Sequence, residues 1–204
     1  NLALAVGSDI DYAVLDRDGE RYIMAEALVG AHEAEFGHAQ RIDTLRGSDL
    51  VGRRYTPLFN YFADTDLHGT ENAWQVLAAD FVSIDDGTGI VHLAPGFGED
   101  DQIVANEAGI PTLCPMDEHG CYTAEISDYA GTHVFDANKR IIADLKERNV
   151  VVRHATYDHS YPHCWRCAEP LVYRAISSWF VQVTAFRDRM VELNEEITWQ
   201  PAHI

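Results

Sequence analysis

At 204 residues, with 47% hydrophobic and 10% aromatic side chains, the chain is long enough to bury a core and too apolar to be disordered. Its net charge of −18, from 33 acidic against 15 basic residues, excludes a general polyanion-binding surface, because phosphate contacts need Lys and Arg. The sequence has no apolar run of about 18 residues to cross a membrane as a helix, and the opening NLALAVGSDIDYAV has neither the basic flank nor the cleavage site of a signal peptide.

The four cysteines, Cys114, Cys121, Cys164 and Cys167, are not needed as staples in a chain of this size, and their number and spacing point to a reducing cytoplasm. Any nucleic-acid contact must be local. Arg53-Arg54 is one small basic spot, and Arg140, Lys146, Arg148 and Arg153 make another. Both ends of the chain are abrupt, and it reads as a fragment of something longer.

Residues 2–6 and 11–15 read as strands, and Arg17-Asp18-Gly19-Glu20 as a hairpin turn. Residues 21–28 fit either an extended segment or a helix start, and His32 to Phe36 a short helix stopped by Gly37. The apolar stretch Trp74–Ile84, the turn Asp85–Gly89 and the strand Ile90–Ala94 predict a second hairpin, feeding the loop Pro95–Gly98. Glu99–Ala108 has helical spacing with acids in its first turn, where they suit the helix dipole. A further helix carries the apolar stripe Ile141, Ile142 and Leu145, with Asp136 as its N-cap. Val150–Val152 reads as a short buried strand, and Leu171–Met190 mixes both patterns. Many short strands with few helices predict a β-rich α+β domain, small and barrel-like with peripheral helices. A composition change near residue 157 divides the chain into 1–157 and 158–204.

The block Gly87-Thr88-Gly89-Ile90-Val91-His92-Leu93-Ala94-Pro95-Gly96-Phe97-Gly98-Glu99-Asp100-Asp101 carries the most chemistry. It is a tight turn, a strand, a glycine-bearing loop and a helix start. The glycines permit close approach of a substrate or another backbone. Asp100 and Asp101 sit where a helix N-terminus holds carboxylates in place, suited to gripping an ammonium group. Read from the residues alone, Asp101 is equally a solvated or capping acid, and His92 a satisfied core or surface histidine. The glycine spacing lacks the dinucleotide fingerprint and the phosphate-binding lysine.

GTGIVHLAPGFGEDD closely resembles the signature of the editing domain of isoleucyl-tRNA synthetases, the connective polypeptide insertion of a class I synthetase. The stretches NLALAVG, GRRYTPLFNYF, CPMDEHGCYTAEI and YPHCWRCAEPLVYRAISSWFVQV agree, so the resemblance covers nearly the whole chain, with wording closest to the eukaryote-like branch. It implies hydrolysis of valine wrongly esterified to tRNA(Ile), and of valyl-adenylate. By position, Asp101 would grip the α-ammonium of valine and His92 would exclude isoleucine, these two being the catalytic candidates. Phe97 and Tyr161 would wall the pocket, Asp100 would flank it, and Gly87, Thr88 and Gly89 would shape the backbone near the ester. No Ser-His-Asp set is expected, and a water would attack the carbonyl. The family's threonine-rich peptide, which lines the pocket, lies just before NLALAVG, so this piece is expected to begin after it. The motifs HIGH and KMSKS are absent, so amino-acid activation with ATP would belong to the parent enzyme.

Cys164-Trp-Arg-Cys167 is half of a tetrahedral zinc site. His159 and His163 lie close in sequence, but the resemblance implies completion of a structural zinc site by residues outside this chain, and no cofactor for editing. Cys114 and Cys121 read as ordinary buried residues. The tail beyond residue 170 resembles the return connection to the synthetase core and is expected to expose Trp179 and Phe180. The implied partners are the valine-bearing 3′ end of tRNA(Ile) and the rest of the synthetase, with the fragment itself a monomer and no membrane. Two other readings compete: a zinc-ribbon-bearing interaction module without catalysis, and a free-standing deacylase.

Overall fold

Residues 1–156 and 158–201 are described by a computed structural model. Asp18 and Gly19 both take positive φ, 56° and 87°. Two successive left-handed residues match the twist of a two-residue hairpin, and the predicted hairpin forms between β2 (Asp11–Arg17) and β3 (Glu20–Ala25). On its other edge β2 pairs antiparallel with β4 (Gln40–Arg46), with a register shift between Val14 and Leu15. β4 has almost no buried residue, so it lacks the alternation that marks a half-buried strand. A 3-10 turn (Glu26–His32) and α1 (Glu33–Phe36) connect β3 to β4.

A second sheet has the order β5-β1-β6. Its centre is β1 (Ala3–Val6), whose Ala3, Ala5 and Val6 are fully buried. β5 (Val76–Ala78) pairs with β1 in parallel and β6 (Ile90–Leu93) pairs with it antiparallel. This corrects the hairpin expected across Asp85–Gly89: the strands on either side of that turn do not pair, because β1 lies between them. A turn signal reports a chain reversal but not which edge the next strand takes. Two short helices, α2 (Gly47–Leu50) and α3 (Thr65–His68), lie on the path from β4 to β5.

The two sheets meet over Val6, Tyr12, Ala25, Leu28 and Leu50, with Ile10, Ile23, Val76 and Ile90 packed around them. A neighbouring cluster joins Leu2, Leu77, Leu93 and Ile110 to Ala105 of α4 (Glu99–Glu107). The α+β, β-rich class expected from the sequence is the class observed. Its barrel-like element takes the form of two open three-stranded sheets, with no closed barrel among the described residues.

α5 (Val134–Glu147) is capped by His133, whose Nδ1 accepts from the Phe135 N–H at 3.3 Å, and not by Asp136, which lies in the first turn. Val150–Val152 is not a buried strand. Asn149 is left-handed (φ 56°), Val150 N–H donates to the Leu145 carbonyl at 3.1 Å, and both valines are exposed. These residues finish the helix with a left-handed C-terminal cap. Residues 171–190 contain no strand; the tail carries a 3-10 turn (Val183–Ala185) and enters α6 (Arg187–Glu195), with Trp179 and Phe180 exposed as expected. The division near residue 157 falls on Tyr157, which lies outside the described residues, as do residues 202–204 at the end of the second segment. No helix among the described residues is long and apolar enough to cross a membrane.

Tyr12 ties the sheets together. Its buried hydroxyl donates to the Gly89 carbonyl at 2.7 Å and accepts from the Gly7 N–H at 3.1 Å. Tyr12→Phe strands both backbone groups, and urea unfolding should show a loss of about 1–3 kcal/mol.

Candidate active site

A cavity of about 560 Å³ opens where β6 ends. One wall is formed by His92 from β6 and by Ala94, Pro95 and Phe97 from the loop that follows. Opposite stand Phe59 and Tyr61, and the sides are closed by Tyr122, Tyr129 and, from α5, Asn138 and Ile141. The lining is mostly apolar, as suits recognition of a small hydrocarbon group with few polar anchors.

The loop is set by its backbone. Phe97 N–H donates to the Ala94 carbonyl at 2.8 Å, which turns the chain into α4. Gly96 is required there, because a Cβ would lie 2.2 Å from the Leu113 carbonyl oxygen. Asp101, in the first turn of α4, does not cap its own helix. Its Oδ2 reaches back and accepts from the Ala94 N–H at 2.8 Å. The carboxylate thus lies behind a residue of the cavity wall, held by a charge-assisted bond and by the positive end of α4. Glu99 and Asp100 share that turn and are exposed.

His92 is exposed to the cavity, yet the protein around it, followed by the nearby Asn1 amine, pushes its pKa below the ordinary imidazole value. Asp101 acts in the opposite sense, which places its charge within electrostatic reach of the ring. A neutral imidazole at pH 7 presents a compact, weakly polar surface to a substrate side chain.

The far wall is a loop made stiff by polar ties. Tyr61 donates to Asp128 Oδ2 at 2.7 Å and Tyr129 to Asp144 Oδ2 at 2.6 Å. Burial and then the Asp144 hydrogen bond push the Tyr129 phenol up to about 12. Arg148 donates to the Leu58 carbonyl at 2.6 Å and lies 5.2 Å from the Phe59 ring. Composition and spacing carried no sign of these pairs, since their members are far apart in sequence.

Of the residues singled out from the sequence, His92 and Phe97 line the cavity and Asp101 holds its wall. Gly87, Thr88 and Gly89 lie at the other end of β6, on the seam between the sheets. There the Thr88 carbonyl accepts from Ala25 N–H at 2.8 Å, the Gly87 carbonyl is 2.8 Å from His32 Nε2, and Gly89 receives the Tyr12 hydroxyl. Gly89 has φ 72°, and a Cβ on it would sit 2.5 Å from the Ala25 Cβ. The sequence signal in this turn is therefore one of close backbone packing. Tyr161 is also away from the cavity: its hydroxyl donates to the Leu171 carbonyl at 2.7 Å and its ring packs against Phe135 at 6.4 Å.

Around Cys164 the backbone makes a tight turn, with Ala168 N–H donating to the Cys164 carbonyl at 2.8 Å and Ala168 left-handed at φ 60°. Backbone N–H groups of Cys167 and then Arg166 lower the Cys164 thiol pKa, the electrostatics a metal-bound thiolate needs. Cys164 is half-buried and Cys167 exposed, but no group of three or more metal-ligating side chains occurs among the described residues. Nδ1 of His163 faces the Tyr161 carbonyl at 2.8 Å. The chain itself therefore supplies half of a tetrahedral set. Cys114 and Cys121 are half-buried rather than fully buried.

No protein-family model matches the chain. Curated relatives match it from end to end. It is 54% identical to the isoleucine–tRNA ligase of Corynebacterium diphtheriae, 51% to that of Mycobacterium tuberculosis H37Rv and 50% to that of Rickettsia canadensis, covering 100% of this chain each time. The chain spans about a fifth of the length of these relatives, 20%, 20% and 19%. Among solved structures it is similar to the crystal structure of GlLeuRS-CP1, with a TM-score of 0.56 and 17% identity, covering 77% of this chain and 79% of that one.

Two expectations follow for His92, both readable by NMR titration of its ring. Its pKa should lie below the reference value of about 6.5, and Asp101→Asn should lower it further, because the carboxylate that favours the charged ring is gone.

Proposed function

We propose that this chain, which belongs to the isoleucine–tRNA ligase family along its whole length, is the editing segment of such an enzyme and hydrolyses the aminoacyl ester of Val-tRNA(Ile). The observation that carries this reading is the anchored Asp101 carboxylate beside a mostly apolar cavity whose wall bears His92. Residues 1–157 form the editing core, and residues 158–204 are the return connection toward the synthetic domain.

The chemistry follows from the geometry. Asp101 Oδ2 is occupied by the Ala94 N–H, and the remaining carboxylate charge faces the α-ammonium of the misplaced amino acid. Neutral His92 and Phe97 bound the side-chain pocket, so valine fits and the additional methylene of isoleucine does not. A water attacks the ester carbonyl, the acyl–oxygen bond breaks, and the ribose hydroxyl of the terminal adenosine leaves with a proton. Valyl-adenylate presents the same aminoacyl group and is taken by the same pocket. Gly87-Thr88-Gly89 acts through β6, whose position it sets, and Asp100 adds negative potential at the rim.

The need for such a site is physical. One methylene is worth only about 1–3 kcal/mol in an apolar pocket, too little for a synthetic site to reject valine; that limit is the known one for isoleucyl enzymes and not a result of this structure. A second, smaller site multiplies the discrimination.

Cys164 and Cys167 would hold a structural zinc ion together with ligands from outside this chain. Zinc there would fix the return connection, and no editing step passes through it. The partners are the rest of the synthetase and the 3′ end of tRNA(Ile) carrying valine. The segment works in the cytoplasm, where that tRNA is charged.

These roles separate in a deacylation assay on a full-length isoleucine–tRNA ligase bearing this segment. Asp101→Ala should cut Val-tRNA(Ile) hydrolysis about a hundredfold or more, as loss of an anchoring charge does; unchanged hydrolysis would remove the assignment. His92→Ala should widen the pocket and start hydrolysis of correctly charged Ile-tRNA(Ile).

A further inference from the structure

The chain has only two lysines, Lys139 and Lys146, and both lie on α5. Residues 139–153 hold five basic residues against two acidic ones, in a chain of net charge −18. Three of the five are used within the protein. Arg140 lies 3.9 Å from Asp144 and over the Tyr129 ring, Arg148 holds the Leu58 carbonyl, and Arg153 is 3.5 Å from Glu35. Both lysines are exposed, and neither is paired with a carboxylate among the described residues.

Their placement relates them to the cavity. They are seven positions apart, so they lie on one face of the helix about 10.5 Å from each other. The adjoining edge of the same helix carries Asn138, which lines the cavity with Ile141. At about 100° per residue, the lysine face begins a quarter-turn beyond that lining edge. A polyanion approaching this acidic protein is repelled almost everywhere else and meets unpaired positive charge beside the cavity mouth.

We infer that the Lys139–Lys146 face of α5 is a phosphate contact for the single-stranded 3′ end of the RNA, guiding its aminoacylated terminus into the cavity. This rests on the editing reading above, since the RNA is the carrier of that site's substrate. An acidic peptide meets the same charge, but it would have no reason to terminate in the cavity.

The test uses a full-length isoleucine–tRNA ligase bearing this segment, with Val-tRNA(Ile) deacylation measured between about 50 and 200 mM salt. For single-stranded contacts the slope of log affinity on log salt is about −0.7 per phosphate neutralised, so Lys139→Gln with Lys146→Gln should flatten the slope of log(kcat/KM) by about 1.4. KM should rise while kcat at saturation is kept. Lys139→Arg with Lys146→Arg should restore the native slope. Hydrolysis of valyl-adenosine, which has no phosphate, should be unchanged by either pair. An unaltered slope, or an equal loss on valyl-adenosine, would overturn the inference. Asp101→Ala, run alongside, separates the two claims. If it abolishes hydrolysis while the lysine variants do nothing, only the phosphate contact fails; if it too does nothing, the editing reading fails with it.

Discussion

Tyr12 is the point through which the fold is registered. Its ring is fully buried between two small sheets, and its hydroxyl meets a backbone group at each end of the other sheet's central pair: Gly7 after β1 and Gly89 before β6. A three-stranded sheet has little stability alone, and neither sheet here closes into a barrel. Each therefore depends on the other's apolar face and on these polar ties. Gly47 allows the same junction, because a Cβ on it would come 2.0 Å from the Gly7 carbonyl oxygen. The place of β6, and so of His92 at its far end, follows from this seam.

From that frame the site is assembled by two different kinds of force. The near wall is fixed by backbone geometry and one buried-side charge: the Ala94–Phe97 turn, the Gly96 approach to Leu113, and Asp101 reaching back from α4. The far wall is fixed by aromatic packing and by hydrogen bonds from Tyr61 and Tyr129 to carboxylates. Ties at an exposed rim contribute little each, so the loop bearing Phe59 and Tyr61 is the wall better able to adjust to a bound nucleoside. The near wall, which must measure a difference of one methylene, is the rigid one. That division suits a site whose specificity lies in the amino acid.

The sequence revealed the near wall well and the far wall poorly. Gly87 to Asp101 is contiguous, so strand, loop and helix start could be read in one pass, and His92, Phe97 and Asp101 fell where that reading put them. The turn Gly87–Gly89 was legible as a place of close approach, but not as approach to Ala25 and Tyr12 rather than to substrate. β4 escaped because both its faces are wet, and Val150–Val152 misled because a valine run at a helix cap looks like a strand. Asp136 had the right side chain for a cap, but His133 occupies the position where the chain enters the helix. The pairs Tyr61–Asp128 and Arg148–Leu58 depend on tertiary contact across 67 and 90 residues, and no local pattern encodes them.

The central claim is that one carboxylate and one imidazole, set on the same wall, recognise a misplaced valine. The most direct test is a crystal structure of this segment with a non-hydrolysable valyl-adenosine analogue in which an amide replaces the ester. The account predicts the valine ammonium within hydrogen-bond distance of the Asp101 carboxylate and the isopropyl group against His92 and Phe97. An analogue bound elsewhere, or bound in this cavity with its ammonium turned away from Asp101, would contradict it.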